Sequence, residues 1–107
     1  MLINFTVIYT NRMHGIIIIY RAEEKKSSIQ LSRALHGYKD YSNKGKYFYE
    51  REGLLEKIPH IQLMRGVFIV KKEDAEKFIS LLERYKILYH MREVVLTLRD
   101  LNDLKEE

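Results

Sequence analysis

Apolar residues gather in five short runs along the chain, and two stretches with helical spacing stand between them. The first run, Ile3 to Tyr9, is rich in β-branched and aromatic residues, and turn residues from Asn11 to Gly15 separate it from the second, Gly15 to Arg21. Two such runs across a short turn are expected to pair as a hairpin. The second run is almost unbroken in its apolarity, as suits a strand covered on both faces or lying centrally in a sheet.

After the charged residues Glu23 to Lys26, Ser27 or Ser28 is placed to cap a helix by accepting hydrogen bonds from free backbone N–H groups. Leu31, Ala34, Leu35 and Tyr38 then follow at i, i+3, i+4 and i+7, which gives one apolar face, and Gly37 is a natural stop. Lys39 to Lys46 carries Asp, Ser, Asn and Gly and reads as a loop. Lys46 to Arg51 reads as a strand with Tyr47 and Tyr49 on one face and Phe48 on the other. Gly53 to Lys57 has the makings of a helical turn, closed by Pro59. Ile61 to Lys71 predicts one long strand, bent or bulged at Arg65 and Gly66. Glu73 and Asp74 stand where a first helical turn favours negative charge, and Ala75, Phe78, Ile79 and Leu82 repeat the helical spacing up to Tyr85. Ile87 to Leu98 predicts the last strand, and Arg99 to Glu107 a short charged helix or frayed tail.

One internal similarity organises these elements. Gly15, an apolar run and the acidic Glu23 and Glu24 lead into the first helix; 51 residues later Gly66, an apolar run and Glu73 and Asp74 lead into the second. A duplicated strand-helix-strand unit makes a split βαβ, or ferredoxin-like, α+β sandwich (βαββαβ) with two helices on one face of an antiparallel sheet. Ile3 to Tyr9 would be an extra N-terminal hairpin strand at its edge, and the C-terminal residues a short added helix.

A length of 107 residues favours one domain, 1–107. The absence of cysteine removes disulfides, thiolate metal sites and cysteine nucleophiles. Ile16 to Ile19, the longest aliphatic run, is far short of the roughly 20 residues that cross a bilayer, so no membrane partner is expected. No leader pattern opens the chain, which sets a cytoplasmic location as the expectation. Abundant Lys and Glu, with glutamine only at Gln30 and Gln62, is a balance common in thermophilic proteins.

Net charge changes the picture most when it is localised. The chain carries +4, and Arg33 to Arg51 contains Arg33, Lys39, Lys44, Lys46 and Arg51 against only Asp40 and Glu50. Four of the eight tyrosines, Tyr38, Tyr41, Tyr47 and Tyr49, fall in the same stretch. Cations interleaved with aromatic rings suit a nucleic acid, because phosphates seek positive charge and bases stack on rings. The expectation is a small non-catalytic nucleic-acid-binding domain, DNA or RNA. Lys39, Lys44, Lys46 and Arg51 would meet phosphates, Tyr41, Tyr47 and Tyr49 would offer stacking surfaces, and Arg65 would extend the patch. The plainer reading has the tyrosines lining a half-buried strand face and the lysines solvated; exposure decides between them.

Three resemblances bear on this. Arg65 to Lys72 resembles the glycine-containing strand motif of RNA-recognition-motif domains in its basic residue, glycine and central valine. Val67, Ile69 and Ile17 stand where that family carries stacking aromatics, so the resemblance supports the strand order rather than the binding mode. His60, Ile61 and Gln62 look like the HUQ motif of rolling-circle nucleases, which implies a metal held by alternate residues on one strand face and a nucleophile such as Tyr85 or Tyr89. Phe5 and Thr6 faintly resemble that family's first motif. The fold itself is similar to that of PII-like and ACT regulatory domains, which implies small-ligand binding between subunits and a homo-oligomer formed through the sheet. His14, His36 and His90 have no metal-site spacing, and no cofactor, metal ligand or catalytic residue is assigned.

Overall fold

The computed structural model describes residues 14–42 and 47–104, with residues 40–42, 47 and 48 described through their backbone pairing only. Strand β1 (His14–Arg21) leads into helix α1 (Lys25–His36), followed by a hairpin of β2 (Tyr38–Ser42) and β3 (Tyr47–Arg51) and a single helical turn, α2 (Leu54–Lys57). Strands β4 (His60–Met64) and β5 (Val67–Lys71), helix α3 (Ala75–Arg84), strand β6 (Leu88–Val95) and helix α4 (Leu98–Asp103) complete the chain.

Four strands form one antiparallel sheet in the order β4-β5-β1-β6, while β2 and β3 pair only with each other. Apart from that inserted hairpin, the order of elements and of strands is the α+β, ferredoxin-like arrangement that the duplicated pattern implies. The two similar segments are β1–α1 and β5–α3, and their strands pair around Ile17 and Ile69, from Gly15 against Lys71 to Ile19 against Val67.

Alternation along the central strands decides what each face buries. Ile16 and Ile18 of β1 and Phe68 and Val70 of β5 pack against Leu31 and Leu35 of α1 and Phe78 and Leu82 of α3. Phe68 and Phe78 are both fully buried, with ring centroids 5.3 Å apart. On the other face Ile69, Leu96 and Leu104 form a second small cluster, joined by Ile17, Ile61, Val94 and Leu101. The C-terminal helix α4 therefore lies across the sheet from α1 and α3, held at its start by a capping box in which Thr97 and Asp100 each bond the other's backbone N–H at 3.0 Å.

Several expected boundaries move. The helix predicted to start at Ser27 or Ser28 begins at Lys25 after Glu24, and Ser28 N–H donates to the Glu24 carbonyl at 3.0 Å as an ordinary helical residue. The loop expected from Lys39 to Lys46 begins instead as strand β2, and the single long strand expected from Ile61 to Lys71 is two strands joined by a tight turn at Arg65 and Gly66. His14, expected in a turn, opens β1. The extra strand at Ile3 to Tyr9 lies outside the described residues. Strand β1 itself has β5 along Gly15–Ile19 on one side and β6 along His14–Arg21 on the other.

The inserted hairpin enters and leaves the domain at one point. Gly37 ends α1 with φ 80° and ψ 174°, a region open essentially to glycine, and donates its N–H to the Arg33 carbonyl at 2.8 Å. A Cβ on Gly37 would strike the Arg51 carbonyl and lie 2.9 Å from the Gly53 nitrogen; one on Gly53 would strike the Leu35 carbonyl and the Gly37 nitrogen. Two glycines thus pinch the root of β2–β3 into a neck, after which Leu55 and Ile58 rejoin the main core.

Candidate nucleic-acid interface

Exposure separates the two readings of the tyrosine-rich stretch wherever it is described. Tyr49 is 55% exposed and Tyr38 41%, so neither ring is core. Each has a guanidinium over it: Arg51 lies 5.9 Å from the Tyr49 centroid and Arg33, on the last turn of α1, 5.2 Å from that of Tyr38. Lys39 is exposed on β2 and Arg51 on β3. Tyr41 and Tyr47 belong to the same hairpin by register, Tyr41 opposite Phe48 and Ser42 opposite Tyr47. Lys44 and Lys46 lie outside the described residues. One face of the hairpin thus carries Tyr38, Tyr49 and Arg51, with Arg33 of α1 beside them, and Lys39 lies on the other face, opposite Glu50. Carboxylates share the neighbourhood, however, since a shallow recess of about 230 Å³ at the neck is bordered by Lys39 and Arg51 together with Glu50, Glu52 and Glu56.

Arg65 lies elsewhere, on the β4–β5 turn, and borders a larger cavity of about 400 Å³. The sheet contributes Tyr20, Arg21, Gln62 and Gly66, and α1 contributes Ser28, Leu31, Ser32, Leu35 and His36. Its lining holds two arginines and a histidine and no carboxylate. Local structure explains the placement. Ser28, Ser32 and His36 recur every four residues and run down one side of α1, beside the Leu31 and Leu35 positions that anchor the helix to the core. Gly66, at φ 79°, makes the tight turn and accepts the Tyr20 N–H at 2.8 Å. A Cβ there would sit 2.6 Å from the Tyr20 carbonyl oxygen, so the turn closes against β1 only with glycine.

The electrostatics of this cavity follow from its walls. Tyr20, with its ring stacked on Phe68 at 6.1 Å, has its hydroxyl pKa raised by burial, and the nearby Arg65 charge partly opposes that rise. Arg21 meets Glu23 at 3.7 Å, but both side chains are largely solvated, so the pair is weak. Arg65 has no ion pair among the described residues. Histidine 36 borders both this cavity and the recess at the neck. Periodicity alone does not reveal this constellation, because Ser28 also suits a cap and Arg65–Gly66 a bulge; the Ser28, Ser32, His36 stripe is the signal the sequence carries.

The face that resembles the RNA-recognition motif has the expected strand placement and different chemistry. β5 and β1 are the central strands, yet Val67, Ile69 and Ile17 present aliphatic groups on the side away from α1 and α3. The HUQ-like residues sit on the helix-bearing side, where the His60 ring lies 5.9 Å from that of Phe68 and its Nδ1 is 3.0 Å from the Ile58 carbonyl oxygen. Tyr89 is on β6, at the opposite edge, about 14 Å across the sheet at ordinary strand spacing and displaced further along it, where its hydroxyl donates to Glu83 at 2.9 Å. Among the described residues no three His, Cys, Asp or Glu side chains are gathered as a metal site would need. No helix among them is long and apolar enough to cross a membrane.

With this geometry in hand, a scan against protein-family models and searches of curated proteins and solved structures find no match to the chain.

Proposed function

We propose that the chain is a non-catalytic nucleic-acid-binding domain whose contact surface is the β2–β3 hairpin and the end of α1. The observation that carries this reading is the exposed stacking of tyrosine and arginine, Tyr49 with Arg51 on the hairpin and Tyr38 with Arg33 of α1, outside the four-stranded sheet. Rings give bases a stacking partner in any sequence, and the guanidinium groups give the phosphates theirs. Tyr47 shares the Tyr49 side of the hairpin by register, and Lys44 and Lys46, adjacent in sequence, would add phosphate contacts in this reading, with Arg65 a separate positive charge on the β4–β5 turn.

Binding of labelled single-stranded and double-stranded DNA and RNA at two salt concentrations tests it. Affinity is expected to fall as salt rises, to fall at least tenfold in the Lys44→Glu/Lys46→Glu double variant, and to drop in Tyr49→Ala for single strands more than for duplexes. No binding of any of the four at low salt refutes the reading.

A second reading, an assembly or regulatory domain that forms homo-oligomers through its sheet, is favoured by one specific feature. The row Met64, Val67, Ile19 runs across the sheet face beyond the reach of the second apolar cluster, and Met64 and Ile19 are exposed there. Sedimentation equilibrium with Ile19→Asp decides it: a dimer that the substitution dissolves supports this reading, and a monomeric parent protein removes it.

A further inference from the structure

The cavity under the β4–β5 turn is built differently from the hairpin surface, and its chemistry selects a narrower ligand. A space of about 400 Å³ has the size for a single nucleotide-sized molecule. Arg65 of the β4–β5 turn and Ser28, Ser32 and His36 of α1 are among its lining residues. No carboxylate lines it, which contrasts with the mixed charges at the neck. Arg65 is exposed, lacks an ion-pair partner among the described residues, and is held beside Tyr20 by a turn that only glycine can close. The Arg65 guanidinium offers two parallel donors, which match two terminal oxygens of a phosphomonoester better than the single charge of an internal phosphodiester. The leucines and the Tyr20 ring on the inner wall suit the sugar and base that such a phosphate would carry.

We propose that this cavity binds a nucleotide through a terminal phosphomonoester, with Arg65 gripping the phosphate and the Ser28–Ser32–His36 side of α1 completing its hydrogen bonds. The ligand is either a free nucleoside monophosphate or the phosphorylated end of a strand. The second source rests on the nucleic-acid reading above, because His36 joins the cavity to the hairpin root and would let a strand lying on the hairpin enter by its end.

The test compares one single-stranded oligonucleotide with a 5′-phosphate, a 3′-phosphate or hydroxyls at both ends, and titrates adenosine monophosphate separately, against the parent protein and Arg65→Gln. Arg65 is exposed on a turn, so the substitution is expected to leave the melting temperature unchanged, which is checked alongside. One phosphorylated end is expected to bind at least tenfold tighter than the hydroxyl strand, and that ratio to collapse toward one in Arg65→Gln. Adenosine monophosphate is expected to bind saturably, shift the Gly66 amide resonance and weaken at least tenfold in the same variant. Equal affinity for all three strands, with adenosine monophosphate failing to bind, overturns the site while leaving the hairpin reading intact. Saturable, Arg65-dependent adenosine monophosphate binding in a protein that binds no strand supports the site and overturns the hairpin reading instead.

Discussion

Replacing Gly37 by alanine isolates what the neck of the hairpin demands of the chain. At φ 80° and ψ 174° an alanine is strained by roughly 1–3 kcal/mol. Its Cβ would also collide with the Arg51 carbonyl, a backbone atom of β3 that cannot swing aside as a side-chain tip can. Loss of unfolded-state freedom returns only about 0.4–1 kcal/mol. The balance is a destabilisation of about 2 kcal/mol, and a domain of this size should melt some 10 °C lower, followed by far-ultraviolet circular dichroism. Gly53→Ala is the informative companion, because Gly53 has φ −89° and carries no dihedral strain. It tests the backbone contacts with Leu35, His36 and Gly37 alone, the closest being to the Leu35 carbonyl oxygen, and is expected to lower the melting temperature without any contribution from φ. If Gly37→Ala melts within about 2 °C of the parent protein, neither strain nor backbone contact closes the neck, and the reasoning is wrong.

Other perturbations probe the rest of the frame. Phe68→Ala removes a fully buried ring packed on Phe78 and Tyr20, and denaturant titration should show a loss of about 3–5 kcal/mol; a loss under about 1 kcal/mol would contradict its central place. Thr97→Ala breaks the capping box of α4 and should cost about 1 kcal/mol in the same assay, with faster amide exchange in α4 than in α3. Glu93 accepts a hydrogen bond from Lys72 at 3.0 Å, which holds its carboxyl pKa below the ordinary value, with His14 adding to the effect. A carboxyl lowered in the folded state contributes stability above its unfolded pKa and loses it as pH falls through the folded one. Lys72→Met should therefore move the Glu93 titration, read by nuclear magnetic resonance, back up toward the usual range; an unmoved curve would show that Lys72 is not the cause.

Much of the frame was legible because it rests on periodicity. Leu31 and Leu35, and Ala75, Phe78 and Leu82, are buried where helical spacing puts them, and the near-continuous apolar run of β1 is a central strand with neighbours on both edges. The repeated segment led to the split βαβ arrangement because its two strands are partners in the sheet. What the pattern missed was decided by backbone geometry or by pairing at a distance. Arg65–Gly66 reads equally as a bulge or a turn until the antiparallel register of β4 and β5 is known, and Tyr38 to Ser42 is too polar to signal a strand that pairs outside the core. The exposure of Tyr38 and Tyr49 follows from that same separation of the hairpin from the sheet. The cavity was hidden for another reason: Arg21, Ser28 and Arg65 are far apart in sequence, and only the fold brings them to one space.

Because β2 and β3 leave and rejoin the domain at the same pair of glycines, the fold tolerates variation in what lies between them. Doubling a loop closed at its ends adds only about 0.6 kcal/mol of closure entropy, and Leu35, Leu55 and Ile58 take their positions from the neck inward. The hairpin behaves as an exchangeable cassette on a constant chassis, able to lengthen, shorten or change its sequence through descent or by design while the four-stranded sheet beneath it stays the same.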